Sequence, residues 1–193
     1  AEFFVTFRLS GSLPKKVIEQ LKKEQETVDR ADIFNLTSLE KSRRRKTFKK
    51  YDDLLDGCRM GPTWLENSKV AQVVWDSMFF FDQVEYDLYA FTIMPNHVHS
   101  VFKLLPNLDK QKKYPVTSII GRLKSYTANE CNQILKKSGP FWQEESYDHV
   151  IRDDDELGET IKYVIYNPVK AGLVEGWKDW KYTYCRQPFL NII

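Results

Sequence analysis

The sequence of 193 residues lacks several features that would assign it to a common functional class. It has no run of roughly 18 apolar residues and no basic start followed by an apolar stretch, so neither a membrane span nor a secretory signal is expected. Its three cysteines, Cys58, Cys131 and Cys185, form no CxxC pair. This argues against a disulfide framework or a zinc finger and suits a reducing cytoplasm. No glycine-rich P-loop occurs, so no ATP site is expected.

The charge is small in total but unevenly distributed. The formal net charge is +2, whereas residues 41–50, KSRRRKTFKK, contain seven cations in ten positions. The acidic residues 153–156 lie far from this run in the sequence. Most such runs are solvated surface, although contact with phosphates is compatible with this one. The composition therefore permits DNA binding without demonstrating it.

Hydrophobic periodicity predicts an α+β fold in a single domain spanning residues 1–193. Alternating or β-branched segments predict strands at 3–9, 86–94, 97–105 and 146–152. Helical spacing predicts helices after Pro14, at 66–81, at 116–136 and from 153 to about Asn167, where Pro168 disfavours further helix. Residues from about 28 to 65 have no clear period and are interpreted as a basic insertion. Because a short turn joins the second and third strands, an antiparallel sheet with helices packed on it is expected.

Two of the three histidines in the chain are separated by one residue. His97 and His99 follow the Pro95-Asn96 turn on a predicted strand, so both side chains leave the same face of the sheet. Neutral imidazoles placed in this way can bind one divalent ion. The alternative is a pair of polar residues on a solvated strand face. His149 is assigned equally to packing or to support of the site, and the lack of a matching cysteine disfavours zinc.

Several sequence blocks resemble one enzyme family. The stretch MPNHVHSVF at 94–102 resembles the His-hydrophobic-His signature of the single-tyrosine HUH transposases, and is most similar to the REP-associated tyrosine transposases. YVIYNPVKAGLV at 163–174 resembles the helix of that family that carries the nucleophile. Two further blocks, at 118–129 and 141–157, resemble other recurring segments of the family in the same order.

This resemblance implies a ferredoxin-like HUH endonuclease fold and a metal-dependent reaction. Tyr163 would attack a phosphate of single-stranded, hairpin-containing DNA and form a 5′-phosphotyrosine link. A 3′-hydroxyl would later attack this link, rejoin the DNA and release the tyrosine. His97, His99 and Asn167 would bind Mg²⁺ or Mn²⁺, with Asn167 standing where insertion-sequence relatives have Gln. Tyr163 and Asn167 share a helical face at spacing i, i+4. Tyr166 is the competing nucleophile.

The remaining expectations concern partners and competing functions. Candidate DNA-binding residues are Arg122, Lys124, Arg152 and Lys170. The resemblance implies a bacterial, cytoplasmic, nucleoid-associated protein, and it allows a monomer or a homodimer. One alternative is a non-catalytic regulator that binds single-stranded nucleic acid. Another is a metal-dependent nuclease that activates water, which the lack of an obvious carboxylate beside the histidines disfavours.

Overall fold

An antiparallel sheet of five strands organises the described part of the chain. The computed structural model describes residues 1–14, 16–19, 49, 52–57, 61–106 and 115–191. The strands are β1 (Glu2–Arg8), β2 (Tyr86–Ile93), β3 (His97–Leu104), β4 (Tyr147–Ile151) and β5 (Thr183–Cys185), in the spatial order β4-β1-β3-β2-β5. The predicted α+β class with an antiparallel sheet is confirmed. The sequence analysis missed β5, whose three residues are too few to show an alternating pattern.

Helices cover both faces of the sheet. They are α1 (Ser68–Phe80), α2 (Pro115–Ile134), α3 (Asp154–Lys170) and the short α4 (Gln187–Leu190). Phe3, Val5 and Phe7 of β1 pack into the same core cluster as α1 and α2, whereas Phe4 packs with α3. Since successive strand residues face opposite sides, odd positions of β1 face α1 and α2, and even positions face α3.

The hairpin of β2 and β3 places the histidines at the centre of the sheet. Its turn is closed by the Met94 N–H, which donates to the His97 carbonyl oxygen at 2.8 Å. Strand β3 lies between β1 and β2, and His97 and His99 pair in register with Arg8 and Thr6 of β1. Both histidines therefore face α3, and the prediction that their side chains share one face is confirmed.

Helix α3 is longer than its sequence predicts. Its first turn is capped by Asp153, whose side chain accepts from the Glu156 N–H at 2.8 Å. Three acidic residues follow in that turn, where the helix dipole favours negative charge. The predicted end near Asn167 is wrong, because the helix continues through the buried Pro168 to Lys170. Proline removes one N–H from the helix, but the N–H of Ala171 still donates to the Asn167 carbonyl oxygen at 2.9 Å.

Part of the predicted insertion is an ordered component of the fold. Residues 52–56, here called the aspartate segment, are helical, and Leu55 packs against Leu13. The basic run 41–50, apart from Lys49, and most of the remaining insertion lie outside the described residues. The extent of the domain over 1–193 stays a prediction.

Candidate active site

The two histidines form the buried centre of the site. Both rings have no exposed surface, their centroids are 4.5 Å apart, and the two Nε2 atoms are 3.0 Å apart. The His97 Nδ1 lies 2.6 Å from Asn96 Oδ1, and the His99 Nδ1 lies 2.7 Å from Thr6 Oγ1. Partners of this kind fix the tautomer and the ring orientation of metal-binding histidines.

The orientation of Asn96 determines the tautomer of His97. The Asn96 Nδ2 donates to the Leu55 carbonyl oxygen at 3.1 Å, which leaves Oδ1 facing His97. The Nδ1 of His97 must therefore donate, and its Nε2 presents a lone pair to the centre of the site. Burial and the neighbouring His99 hold the pKa of His97 well below its ordinary value. The neutral form, which binds metal, is thereby favoured.

The aspartate segment adds two buried carboxylates beside the histidines. Asp52 and Asp56 are four residues apart and so share one helical face. Asp52 Oδ1 lies 3.1 Å from His99 Nε2, and Asp56 Oδ1 lies 3.8 Å from His97 Nε2. The four ligand atoms lie within 4.8 Å of one another. The expectation that no carboxylate lies near the histidines is therefore wrong, and this buried group could hold a metal ion.

The pKa values of the two carboxyl groups move in opposite directions. Burial opposes ionisation of Asp52, but the interaction and hydrogen bond with His99, together with the Lys170 ammonium, outweigh it and hold the pKa of this carboxyl below its usual value. Burial and the neighbouring Asp52 raise the pKa of Asp56. Two carboxyl groups this close cannot both ionise easily without a nearby cation. The chemistry of the donor set therefore fits a divalent ion.

Helix α3 brings the predicted nucleophile to the histidines. The Tyr163 ring centroid lies 5.6 Å from that of His99 and 6.0 Å from that of Phe4, and the Tyr163 hydroxyl oxygen is buried. Asn167 follows one turn later, fully buried, and within the described part of the chain its amide atoms have no hydrogen-bond partner. Tyr166 is 37% exposed. The geometry therefore favours Tyr163 over Tyr166 as the tyrosine of the site.

Lys170 connects α3 to the aspartate segment. Because α3 continues past Pro168, Lys170 lies within the last turn of the helix, and its Nζ lies 5.5 Å from the centre of the Tyr163 ring. The same Nζ lies 2.8 Å from Asp56 Oδ2, 2.9 Å from Asp53 Oδ1 and 3.6 Å from Asp52 Oδ2. Its predicted DNA contact stays a prediction, but in the structure these carboxylates engage the ammonium.

The other predicted DNA-binding residues lie away from the histidines. Arg122 and Lys124 are on α2, on the opposite side of the sheet. Arg122 pairs with Glu85, and Lys124 donates to the Glu144 carbonyl oxygen at 2.7 Å. Arg152 is exposed just before α3. The structure does not bring these three residues to the site, and their DNA contacts stay predictions.

His149 supports α3 rather than the histidine pair. Its Nε2 lies 2.9 Å from Glu156 Oε1, in the first turn of α3. The other oxygen of Glu156 accepts from the Arg152 N–H at 3.0 Å. His149 therefore helps to fix the start of the helix that carries Tyr163.

Sequence reasoning also missed Arg8. This residue pairs with His97 across β1 and β3, so it lies on the face of the sheet that carries the histidines. It is 7% exposed, and within the described residues its Nη1 has no hydrogen-bond partner. Burial lowers the pKa of Arg8 to about 10, partly offset by Glu145, so the guanidinium stays charged at neutral pH. A buried cation with an unused donor is suited to binding a phosphate.

Comparison with known proteins identifies the family. The model of the family described as Transposase IS200 like matches residues 66–167, which is more than half of the chain. The chain belongs to this family. A Haemophilus influenzae protein named as a REP-associated tyrosine transposase is 32% identical over 103 residues, which cover 51% of this chain and 58% of that protein. The REP-associated tyrosine transposase of Escherichia coli K12 is 26% identical over 98 residues, covering 51% of this chain and 53% of that protein.

A solved structure of a family member supports the fold. It is described as a REP-associated tyrosine transposase bound to a REP hairpin, and it matches with a TM-score of 0.56 and 16% identity over 94% of this chain and 74% of that one. The chain thus has the HUH fold of this family, as predicted. The matches to the two curated relatives span little more than half of their lengths. No helix in the described part of the chain is both long and apolar enough to cross a membrane.

Proposed function

We propose that this protein is a metal-dependent endonuclease and strand transferase that acts on single-stranded, hairpin-containing DNA through a covalent tyrosine intermediate. The observation that carries this proposal is the contact between α3 and β3, where the Tyr163 ring lies 5.6 Å from the ring of His99. A tyrosine beside a buried pair of metal-binding side chains is the arrangement that phosphodiester attack by a phenol requires.

The chemistry assigns a role to each group. The Tyr163 oxygen forms a bond to phosphorus, the bond to the 3′ oxygen breaks, the phenolic proton is lost and the released 3′ oxygen gains a proton. A divalent ion, Mg²⁺ or Mn²⁺, polarises the phosphate when bound, and we propose His97, His99 and Asn167 among its ligands. A later 3′-hydroxyl reverses the step, and since the energy of the broken bond is kept in the tyrosine link, no ATP is needed.

Positive charge near the site is suited to holding the DNA backbone. Arg8 lies across from His97 with a buried donor unused among the described residues. Arg152 is exposed just before α3, away from the histidines, where it could contact DNA that flanks the cleaved bond. We propose that Arg8 contacts a phosphate near the cleaved bond, and that the other predicted cations bind flanking DNA.

The buried carboxylates favour one competing function. Asp52 and Asp56 beside the histidines would also suit a nuclease in which the ion activates water and no covalent link forms. The two mechanisms differ in their product, because only the tyrosine mechanism leaves DNA attached to the protein.

The deciding experiment is a covalent-adduct assay. End-labelled hairpin DNA with a single-stranded flank is incubated with the protein and Mn²⁺, and the products are separated under denaturing conditions. We expect an adduct that is lost in Tyr163→Phe and kept in Tyr166→Phe, the matched control on the same helix. Cleavage without an adduct would favour the water-activating nuclease, and an adduct that survives in Tyr163→Phe would refute the assignment.

A further inference from the structure

We infer that Asp52 and Asp56 are ligands of the metal ion, supplied from outside the range that the family model matches. The inference rests on the proposed function, since it completes the metal site of the same reaction. The family match begins at residue 66, so neither aspartate lies within it. The carboxylates would therefore distinguish this chain from a site built only from β3 and α3.

In each carboxylate, one oxygen lies near a histidine and the other lies near Lys170. The inner oxygens, Asp52 Oδ1 and Asp56 Oδ1, lie 3.1 and 3.8 Å from a histidine Nε2. The outer oxygens, both Oδ2, lie 3.6 and 2.8 Å from the Lys170 Nζ. Lys170 thus neutralises the outer side of the pair, while the inner oxygens remain directed at the histidines.

The separations fit ligands of a single ion. Metal–ligand bonds of about 2.1 Å place neighbouring ligand atoms roughly 3.0 to 3.4 Å apart. The two Nε2 atoms are 3.0 Å apart, and Asp52 Oδ1 is 3.1 Å from the nearer one. Asp56 Oδ1, at 3.8 Å from His97 Nε2, is slightly farther, but it still lies within 4.8 Å of the other three ligand atoms.

The cluster holds more acceptors than donors. With the His97 Nδ1 donating to Asn96, its Nε2 offers only a lone pair to the centre. The His99 Nε2, the other nitrogen facing the centre, lies 3.0 Å from the His97 Nε2 and 3.1 Å from Asp52 Oδ1, so a single N–H would have to serve two acceptors. The inner oxygen of Asp56 is buried and has no hydrogen-bond partner among the described residues. Buried acceptors without donors are costly. A cation among them would satisfy all of these atoms together.

The charge of the ligand set gives this inference a distinct consequence. Two neutral imidazoles and an amide leave a divalent ion with its full charge, so tight binding would depend on the DNA phosphate. Two carboxylates neutralise the ion within the protein. We therefore expect the protein to bind one Mn²⁺ in the absence of DNA, with the mixed nitrogen and oxygen ligands that suit this ion.

The test is titration of the DNA-free protein with Mn²⁺, in which the electron paramagnetic resonance signal of the free ion measures how much is bound. We expect Asp52→Asn, Asp56→Asn and His97→Ala each to weaken Mn²⁺ binding at least tenfold. Asp53→Asn is the matched control, since Asp53 is half-exposed and contacts Lys170 but is not part of the His/Asp cluster. It should change the affinity by less than twofold.

The result that overturns the inference is loss of Mn²⁺ binding in His97→Ala with wild-type affinity in both aspartate variants. If Asp52→Asn shows no thermal unfolding transition and so does not fold, Asp56→Asn is tested alone. Wild-type Mn²⁺ affinity in Asp56→Asn would then overturn the inference. The adduct assay is independent of this result. Carboxylate-dependent Mn²⁺ binding without an adduct would refute the proposed reaction alone, and an adduct with carboxylate-independent Mn²⁺ binding would refute this inference alone.

Discussion

Replacing Lys170 with Met tests the electrostatics of the site through stability. The change keeps an unbranched side chain and removes the ammonium that contacts the three carboxylates of the aspartate segment. Among the described residues, the two buried carboxylates would then have no counter-charge on their outer side. We expect the metal-free variant to be less stable than the wild-type protein.

The magnitude follows from the exposure of the partners. Asp53 is about half exposed, so its pair with Lys170 contributes about 0.5 kcal/mol. The bond to the buried Asp56 is worth more, roughly 1.5 kcal/mol, at the low end for charged hydrogen bonds because Lys170 is itself 41% exposed. The loss is therefore about 2 kcal/mol, or about 4–8 °C in Tm for a chain of this size.

Manganese should reduce this loss if the ion binds the same carboxylates. Removing Lys170 removes a positive charge beside the ion, so Mn²⁺ binds the variant more tightly and stabilises it more. We expect the difference in free energy of unfolding between wild type and Lys170→Met to fall to about 1 kcal/mol in saturating Mn²⁺. By linkage this is about fivefold tighter Mn²⁺ binding by the variant.

The assay is urea denaturation of both proteins in EDTA and in Mn²⁺. Lys162→Met is the matched control, because Lys162 is an exposed lysine on the same helix. Its free energy of unfolding should fall by less than about 0.5 kcal/mol, both in EDTA and in Mn²⁺. If Lys170→Met lowers the free energy of unfolding equally with and without Mn²⁺, the ion does not bind these carboxylates and the electrostatic reasoning is refuted.

Three further predictions follow from single contacts. Asn96→Ala removes the acceptor of the His97 Nδ1 and should weaken Mn²⁺ binding by roughly 10–100-fold in the same titration, whereas exposed Asn129→Ala should not. Arg8→Met should weaken single-stranded DNA binding and lower the slope of log affinity against log salt by about 0.7, and an unchanged slope would exclude a phosphate contact. Burial raises the pKa of the Cys131 thiol to about 12, so the stability this group contributes is present below about pH 9 and is lost as the pH rises towards 12. Alkylation of native Cys131 at pH 8 should accordingly be at least a thousandfold slower than in the unfolded chain, and rapid labelling would contradict its burial.

The sequence predicts those parts of the site whose residues lie close together in the chain and form a recognisable pattern. The β2–β3 hairpin has alternating apolar residues on each side of a Pro-Asn turn, and His97 and His99 follow that turn directly. Their shared face is then a consequence of strand geometry. The spacing of Tyr163 and Asn167 on one helix is equally local, because residues i and i+4 share a helical face.

The part that the sequence does not predict depends on tertiary contacts. Asp52 and Asp56 have a helical spacing, but no local pattern connects them to histidines more than forty residues later. That connection is made by Asn96, which donates to the Leu55 carbonyl oxygen. The end of α3 is a similar case, because burial of Pro168 and the bonds after it outweigh the local preference of the residue before proline.

The three segments of the site differ in whether they lie within the range that the family model matches. Strand β3 and the Tyr163–Asn167 turn of α3 lie within residues 66–167, whereas the aspartate segment precedes this range. Asn96 nevertheless contacts both the aspartate segment and His97, so moving that segment would also release the acceptor that fixes His97. The carboxylates and the histidines are therefore coupled through one amide, and a change in either group should first alter the affinity for the ion.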